Sequence, residues 1–250
     1  MIELKSPSQL EGIKNASRLL VDVLTGLKKM VVPGIITEQL DNWARKKILD
    51  SGADCAFLGY KGFPKTICTS VNEQIVHGIP GKRILKNGDI ISIDVGVRLD
   101  GYFSDAAVTV AVGNIANMAA RLIEVTRKAL LDAIGYAVCG GRLSDISCAV
   151  ERCAVDNGLN VVREFVGHGI GLNLHEDPPV PNFGRSGAGV RLKEGMVLAI
   201  EPMINAGGPG VEILDDGWTA VTQDGSLSAH FEHTVAITKN GPEVFTEGIE

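Results

Sequence analysis

Residues 85–96 read LKNGDIISIDVG, and residues 192–203 read LKEGMVLAIEPM. Both begin Leu-Lys-x-Gly, run through apolar positions and reach an acid, so that Asp94 aligns with Glu201. A second pairing follows: SDAAVTVAV (104–112) against FEHTVAITK (231–239) aligns Asp105 with Glu232. Runs rich in β-branched residues between turn residues predict strands. Each copy therefore supplies one strand that ends in an acid and a second that begins with one. Stretches of helical periodicity precede both copies. The repeat predicts an α+β fold of two similar αβ halves related by a pseudo-two-fold axis, with the acids converging at its centre.

The helical stretches mark their own boundaries. In residues 6–34, Ser6 is placed to cap, Pro7 suits the first helical position, and Gln9 completes a capping box. Leu10, Ile13, Ser17, Leu20, Leu24 and Leu27 recur at a spacing of three or four until Pro33-Gly34 stops the run. Thr37 is the expected cap of a second helix ending at Ser51-Gly52. A third helix is expected from Met118 to Val138, stopped by Gly140-Gly141, and a fourth from Ser144 to Asn157-Gly158. The predicted strands are 89–97, 106–113, 161–166, 196–204 and 233–241. No linker or low-complexity segment divides them, so residues 1–250 are expected to form a single catalytic domain.

Composition narrows the class. The chain has 250 residues, 45% hydrophobic and 22% charged, with a formal charge of −6, an ordinary globular balance. The negative charge and the lack of a Lys/Arg run give no reason to expect nucleic-acid binding. No apolar run reaches membrane-spanning length, and MIELKSPSQL is not a basic leader followed by an apolar stretch. The cysteines at 55, 68, 139, 148 and 153 form no CxxC pair, so they are expected to be reduced and buried, in a cytoplasmic setting.

The chemistry lies in the acids and in GHGIGLNLHE (167–176). A carboxylate embedded in an apolar strand must be neutralised, hydrogen-bonded or bound to a cation. Asp94 and Asp105 in one half, with Glu201 and Glu232 at equivalent positions in the other, predict a shared metal site. Four carboxylates alone would suit calcium or magnesium, whereas a neutral histidine would make a mixed oxygen and nitrogen set fit for a hydrolytic metal. His168 and His175 are the candidates. The glycines at 169 and 171 argue for an irregular loop instead of a helix, and are expected to let backbone pass close to the metal.

The ordered series HGIPG (77–81), IDVG (93–96), YFSDAA (102–107), GHGIG (167–171), LHEDP (174–178), AIEPM (199–203) and FEHTV (231–235) resembles type I methionine aminopeptidases over nearly the whole chain. The resemblance implies the pita-bread fold, whose halves surround a central antiparallel sheet, and removal of N-terminal methionine when the second residue is small and uncharged. It implies two divalent ions (iron, manganese, cobalt or zinc) held by Asp94, Asp105, His168, Glu201 and Glu232. Asp105 and Glu232 would be shared by both ions, and Glu201 would also carry a proton. His175 and His77 would contact the scissile peptide, while His230 and His233 have no catalytic part. Tyr60, Phe63, Cys68 and Trp218 match pocket positions for the methionine side chain, and Phe57 and Leu174 occupy positions where relatives often carry cysteine and phenylalanine. Backbone oxygens of Asn72, Gln74 and Ser228 match a monovalent-cation site of some relatives. The implied partners are nascent polypeptide N-termini near the ribosome, met by a monomer.

Three other readings share the fold. Peptidases that cleave before proline usually carry a further N-terminal domain, for which this chain is expected to have no room. Creatinase-like hydrolases lack the full metal set. Non-enzymatic pita-bread binders have broken ligand sets, whereas all five positions here are acid or imidazole.

Overall fold

The computed structural model describes residues 2–249. Four α-helices occur among them: α1 (Pro7–Met30), α2 (Thr37–Asp50), α3 (Asn117–Ile134) and α4 (Leu143–Asp156). The strands of the first half are β1 (Asp54–Cys55), β2 (Ile67–Val71), β3 (Gln74–Val76), β4 (Ile90–Leu99) and β5 (Tyr102–Ala111). Those of the second are β6 (Asn160–Val161), β7 (Gly167–Gly169), β8 (Glu176–Val180), β9 (Val197–Ile200), β10 (Met203–Asn205), β11 (Val211–Ile213), β12 (Ala220–Thr222), β13 (Ser228–His230), β14 (His233–Thr238) and β15 (Gly241–Val244).

α1 starts as its sequence requires. The Gln9 N–H donates to Ser6 Oγ and the Ser6 N–H donates to Gln9 Oε1, and the apolar face from Ile13 to Leu27 is buried. Thr37 is the first residue of α2 instead of its cap. The Ile36 N–H is satisfied by Gln39 Oε1, and the Thr37 hydroxyl exchanges hydrogen bonds with the backbone of Gly81. α3 stops at Ile134, short of the expected Val138, where Gly135 caps the helix and tight turns lead to Gly140. Among the described residues, no helix is long and apolar enough to cross a membrane.

β4 and β5 form a long antiparallel hairpin closed by Asp100-Gly101. Both turn residues have positive φ, the conformation a two-residue hairpin with the native twist requires. α1 and α2 cover this half, and α3 and α4 pack together on the other. Sheet order in the second half is β15-β14-β9-β7-β8, with every pair antiparallel. One apolar cluster draws on both halves, from Ala16 and Leu20 of α1 to Ile200 and Val235.

The predicted strand 196–204 is two strands, interrupted at Glu201-Pro202. Proline has no N–H for the ladder, so the break leaves Glu201 just past the last pair, Ile200–His233. The predicted strand 161–166 survives only as Asn160–Val161. Beyond it Val162 stays buried, its N–H donating to the Met203 carbonyl, while the exposed Arg163 pairs with Glu151 and lies over the Phe183 ring.

The GHG tripeptide is strand β7, paired with β8 and β9. Its glycines answer to packing. A Cβ at Gly169 would strike the Asp177 carbonyl and one at Gly167 the Ala199 carbonyl, while Gly171 abuts the stem of Lys5. All five cysteines are free, but Cys139 is exposed and Cys55 and Cys148 are half-buried, against the expectation that all would be buried. Cys139 lies in the turn after α3, where little packs over it.

Candidate active site

The acids meet where the halves join. Ala107 and Glu232 form a backbone bridge, and Thr234 Oγ1 accepts from the Asp105 N–H while donating to the Asp105 carbonyl. Residues two apart on a strand share a face, so Asp105 and Glu232 project to the same side. Asp105, His168 and Glu232 each offer a ligand atom, all within 4.8 Å of one another. Asp94, opposite Ala107 on β4, and Glu201, in the break after β9, border the same cavity.

Burial sets the protonation of this cluster. Asp94 is pushed up to about 7, first by desolvation. Asp105 is raised well above the usual carboxylate range by desolvation, then by the charges of Glu232 and Asp94. Glu201 and Glu232 are raised well for the same reason, burial first and neighbouring acids second. Asp94 Oδ1, Asp105 Oδ1 and Glu232 Oε1 are buried without a hydrogen-bond partner. Like charges this close and this dry demand either protons or cations. Divalent ions fit the donor set.

His168 is oriented for ligation. Its Nδ1 lies 2.9 Å from the Gly169 carbonyl, which can only accept, so Nδ1 carries the proton. Nε2 is left with its lone pair, 3.5 Å from Glu201 Oε1. Burial lowers the His168 pKa to about 4, so the ring is neutral and free to bind a cation. His175 lies against it with ring centres 4.1 Å apart and stacks on Tyr60 at 5.1 Å. Burial foremost, then the charges of His168, Lys61 and His77, lowers the His175 pKa to about 3. His77 has positive φ, meets Phe165 and Trp218 edge-on, and is lowered by burial.

A cavity of about 150 Å³ brings these groups together with Phe57, Tyr60, Phe63, Cys68 and Trp218. Phe63 and Trp218 meet edge to face at 5.2 Å. Leu174 does not line this cavity but packs in the same apolar cluster as Phe57, Phe63 and Cys68. Lys61, which sequence reasoning left out, and His230, which it gave no catalytic part, also reach the site. Lys61 lines the cavity, its ammonium 5.3 Å from the Tyr60 ring centre. His230 has an unpartnered Nε2 3.7 Å from Glu201 Oε2, so the two oxygens of Glu201 face different histidines. Its position two residues before Glu232 was the available signal, since alternate strand residues share a face. His233 instead meets the Thr246 hydroxyl.

Comparison with known proteins supports the same reading. The model of metallopeptidase family M24 matches residues 11–239. A methionine aminopeptidase of Clostridium perfringens is 52% identical over 246 residues, covering 98% of this chain and 99% of its own. The crystal structure of a methionine aminopeptidase from Thermotoga maritima superposes with a TM-score of 0.97 at 44% identity, covering 98% of this chain and 99% of that one. An Xaa-Pro dipeptidase from Bacillus anthracis shares the fold at 20% identity, with a TM-score of 0.80, and the match spans 98% of this chain and 62% of that one. The architecture is the pita-bread fold.

Proposed function

Because the chain belongs to metallopeptidase family M24, we propose that it is a methionine aminopeptidase that uses two divalent ions to release N-terminal methionine before a small, uncharged residue. The observation that carries this reading is the convergence of Asp105, His168 and Glu232 in a buried cavity with an aromatic wall. Asp94, Asp105, His168, Glu201 and Glu232 would hold the ions. Asp105 and Glu232, 4% and 2% exposed, are the pair suited to serve both. Iron, manganese, cobalt and zinc all accept such a mixed set. When bound, the ions supply Lewis-acid polarisation and a nucleophile at neutral pH.

The chain's own groups do the rest. The neutral His175 ring donates an N–H to the scissile carbonyl oxygen as negative charge builds there, a contribution of about 2–4 kcal/mol for such a donor. His77 donates on the leaving side. A Glu201 oxygen takes the proton released during attack and delivers it to the leaving amine. Phe57, Tyr60, Phe63, Cys68 and Trp218 surround the thioether and exclude water, with Leu174 packed behind them. The acid cluster leaves the substrate's free α-amine a negative partner.

The substrates are nascent chains, met by a monomer as they leave the ribosome in the cytoplasm. A monovalent cation on the backbone oxygens of Asn72, Gln74 and Ser228 belongs to the same proposal. In its support, the Ser228 N–H donates to the Asn72 carbonyl, which keeps two of those positions together. The deciding experiment measures hydrolysis of Met-Ala-Ser and of an Xaa-Pro peptide, with manganese and with a chelator. Manganese-dependent release of methionine from Met-Ala-Ser is expected. Preference for the Xaa-Pro bond would move the chain to the dipeptidase branch of the fold.

A further inference from the structure

The segment before α1 reaches the loop that carries His175. Among the described residues, Lys5 is the only lysine that is buried. Its side chain is 1% exposed, and Nζ lies 2.6 Å from Glu176 Oε2 and 3.3 Å from Glu3 Oε2. The Glu3 side chain is 44% exposed, whereas that of Glu176 is 9% exposed. The other Glu176 oxygen, Oε1, accepts from the backbone N–H groups of Leu172 and Asn173 at 2.8 and 2.9 Å. One carboxylate thus closes the turn 172–176 on itself, with Leu174 and His175 inside it.

The lysine is fixed from both ends. Its backbone N–H donates to the Gly195 carbonyl at 2.7 Å. Its stem passes so close to Gly171 that a Cβ there would lie 2.6 Å from Lys5 Cε. The Gly171 carbonyl in turn accepts from the Phe103 N–H of β5 at 2.7 Å, which ties the start of the turn to the first half.

We propose that Lys5 is a positioning residue for His175, acting through Glu176. A buried ion pair is weak evidence of stability, because desolvation offsets most of the attraction. Its distinctive effect here is geometric. With the ammonium in place, the Glu176 carboxylate stays in the interior and its second oxygen holds two amides of the turn. Without it, a buried carboxylate with one uncompensated oxygen rotates toward water, and the amides of Leu172 and Asn173 lose their acceptor. His175 then leaves its stack on Tyr60, while His168, held on β7, keeps its place. The inference rests on the proposed aminopeptidase reaction, and its test includes a readout independent of it.

The experiment is a double-mutant cycle on the manganese-loaded enzyme with Met-Ala-Ser. Lys5→Met fills the same apolar channel without the charge. It is expected to lower kcat by about tenfold to a hundredfold, the size of effect expected from misplacing a catalytic group. Bound manganese should not change. In a His175→Ala background the same substitution should change kcat by less than about twofold, since coupled residues are not additive. Should Lys5→Met not fold, Glu176→Gln carries the same expectation. The NMR resonance of the His175 ring in metal-free protein should also move in Lys5→Met, while that of His233 stays. An unchanged kcat, an equal loss in the His175→Ala background, or a still His175 resonance would each overturn the proposal. A wild-type enzyme inactive on Met-Ala-Ser would instead overturn the assigned reaction, and the resonance would then decide the positioning role alone.

Discussion

The Glu232 N–H donates to the Ala107 carbonyl at 2.9 Å, and the Ala107 N–H returns to Glu232 at 3.4 Å. This bridge joins the two halves of the repeat, and it sets the side chains of Glu232 and Asp105 on one face. Asp105→Ala and Glu232→Ala should therefore each empty the whole metal site, not half of it. Changes outside the ligand shell already cost up to about a hundredfold, so kcat should fall by more than that. Elemental analysis of dialysed protein checks the first statement and steady-state kinetics the second. Retention of an ion in either variant would show that the carboxylate removed in it is not shared.

Metal removal should leave a folded protein whose stability depends on pH in a particular direction. Asp94 is pushed up to about 7 in the folded state, and Asp105, Glu201 and Glu232 are held well above the usual carboxylate range by burial and then by neighbouring acids. All four lose their protons near pH ~4 once unfolded. Above pH ~4 the metal-free folded state therefore holds protons that the unfolded chain has released, and stability falls as pH rises. His168, His175 and His230, lowered to about 4, 3 and 3, act in the opposite sense, but only below about pH 6.5, where an unfolded histidine is protonated. In chelator, the melting temperature should fall from pH ~6.5 to ~8, and added manganese should reverse the fall because metal displaces the protons. A flat or rising melting temperature in chelator over that range would mean the acids ionise without cations.

His168 and His175 should separate cleanly. His168→Ala removes a lone pair aimed at the carboxylates, so it should deplete metal. His175→Ala should keep both ions and slow the chemical step by about a hundredfold to a thousandfold, the loss typical of one oxyanion donor. Parallel elemental analysis and single-turnover kinetics distinguish the two. Depletion by His175→Ala alone would exchange the roles.

Substrate choice should follow the wall of the cavity. An unbranched thioether suits the soft lining of Cys68, Phe63 and Trp218, while a charged first residue would be desolvated without a partner. The kcat/KM for Met-Ala-Ser should exceed that for Leu-Ala-Ser, and N-formyl-Met-Ala-Ser should resist cleavage for want of a free amine. Large second residues should be poor substrates, since His77 and His175 crowd that side. Equal rates for methionine and leucine would remove the methionine-specific reading.

Much of the site was legible because strand and repeat constraints are short-range. Alternation on β5 and the paired acids located Asp105 and Glu232, and the Ser6–Gln9 box located the start of α1. The parts that were not legible depend on partners remote in sequence. Arg163 and Glu164 sit in an apolar run that looks like a strand, yet no neighbouring strand extends to meet them. The glycines of GHGIG suggested an irregular loop, but Gly167 and Gly169 lie in a strand and make room for the carbonyls of Ala199 and Asp177, as Gly171 does for the stem of Lys5. Lys61 enters the site through a turn that composition does not reveal, whereas His230 stands two residues before Glu232 and was legible in the sequence.

The bridge between Ala107 and Glu232 also joins segments that lie far apart in the sequence. Asp94 and Glu232 lie more than half the chain apart, so no local segment holds a working subset of the acids. Contacts of such long separation carry a loop-closure entropy cost that slows folding. The first half carries Asp94 and Asp105 and the second carries His168, Glu201 and Glu232, so neither half alone holds the complete ligand set. The five candidate ligands therefore come together only where both halves are joined.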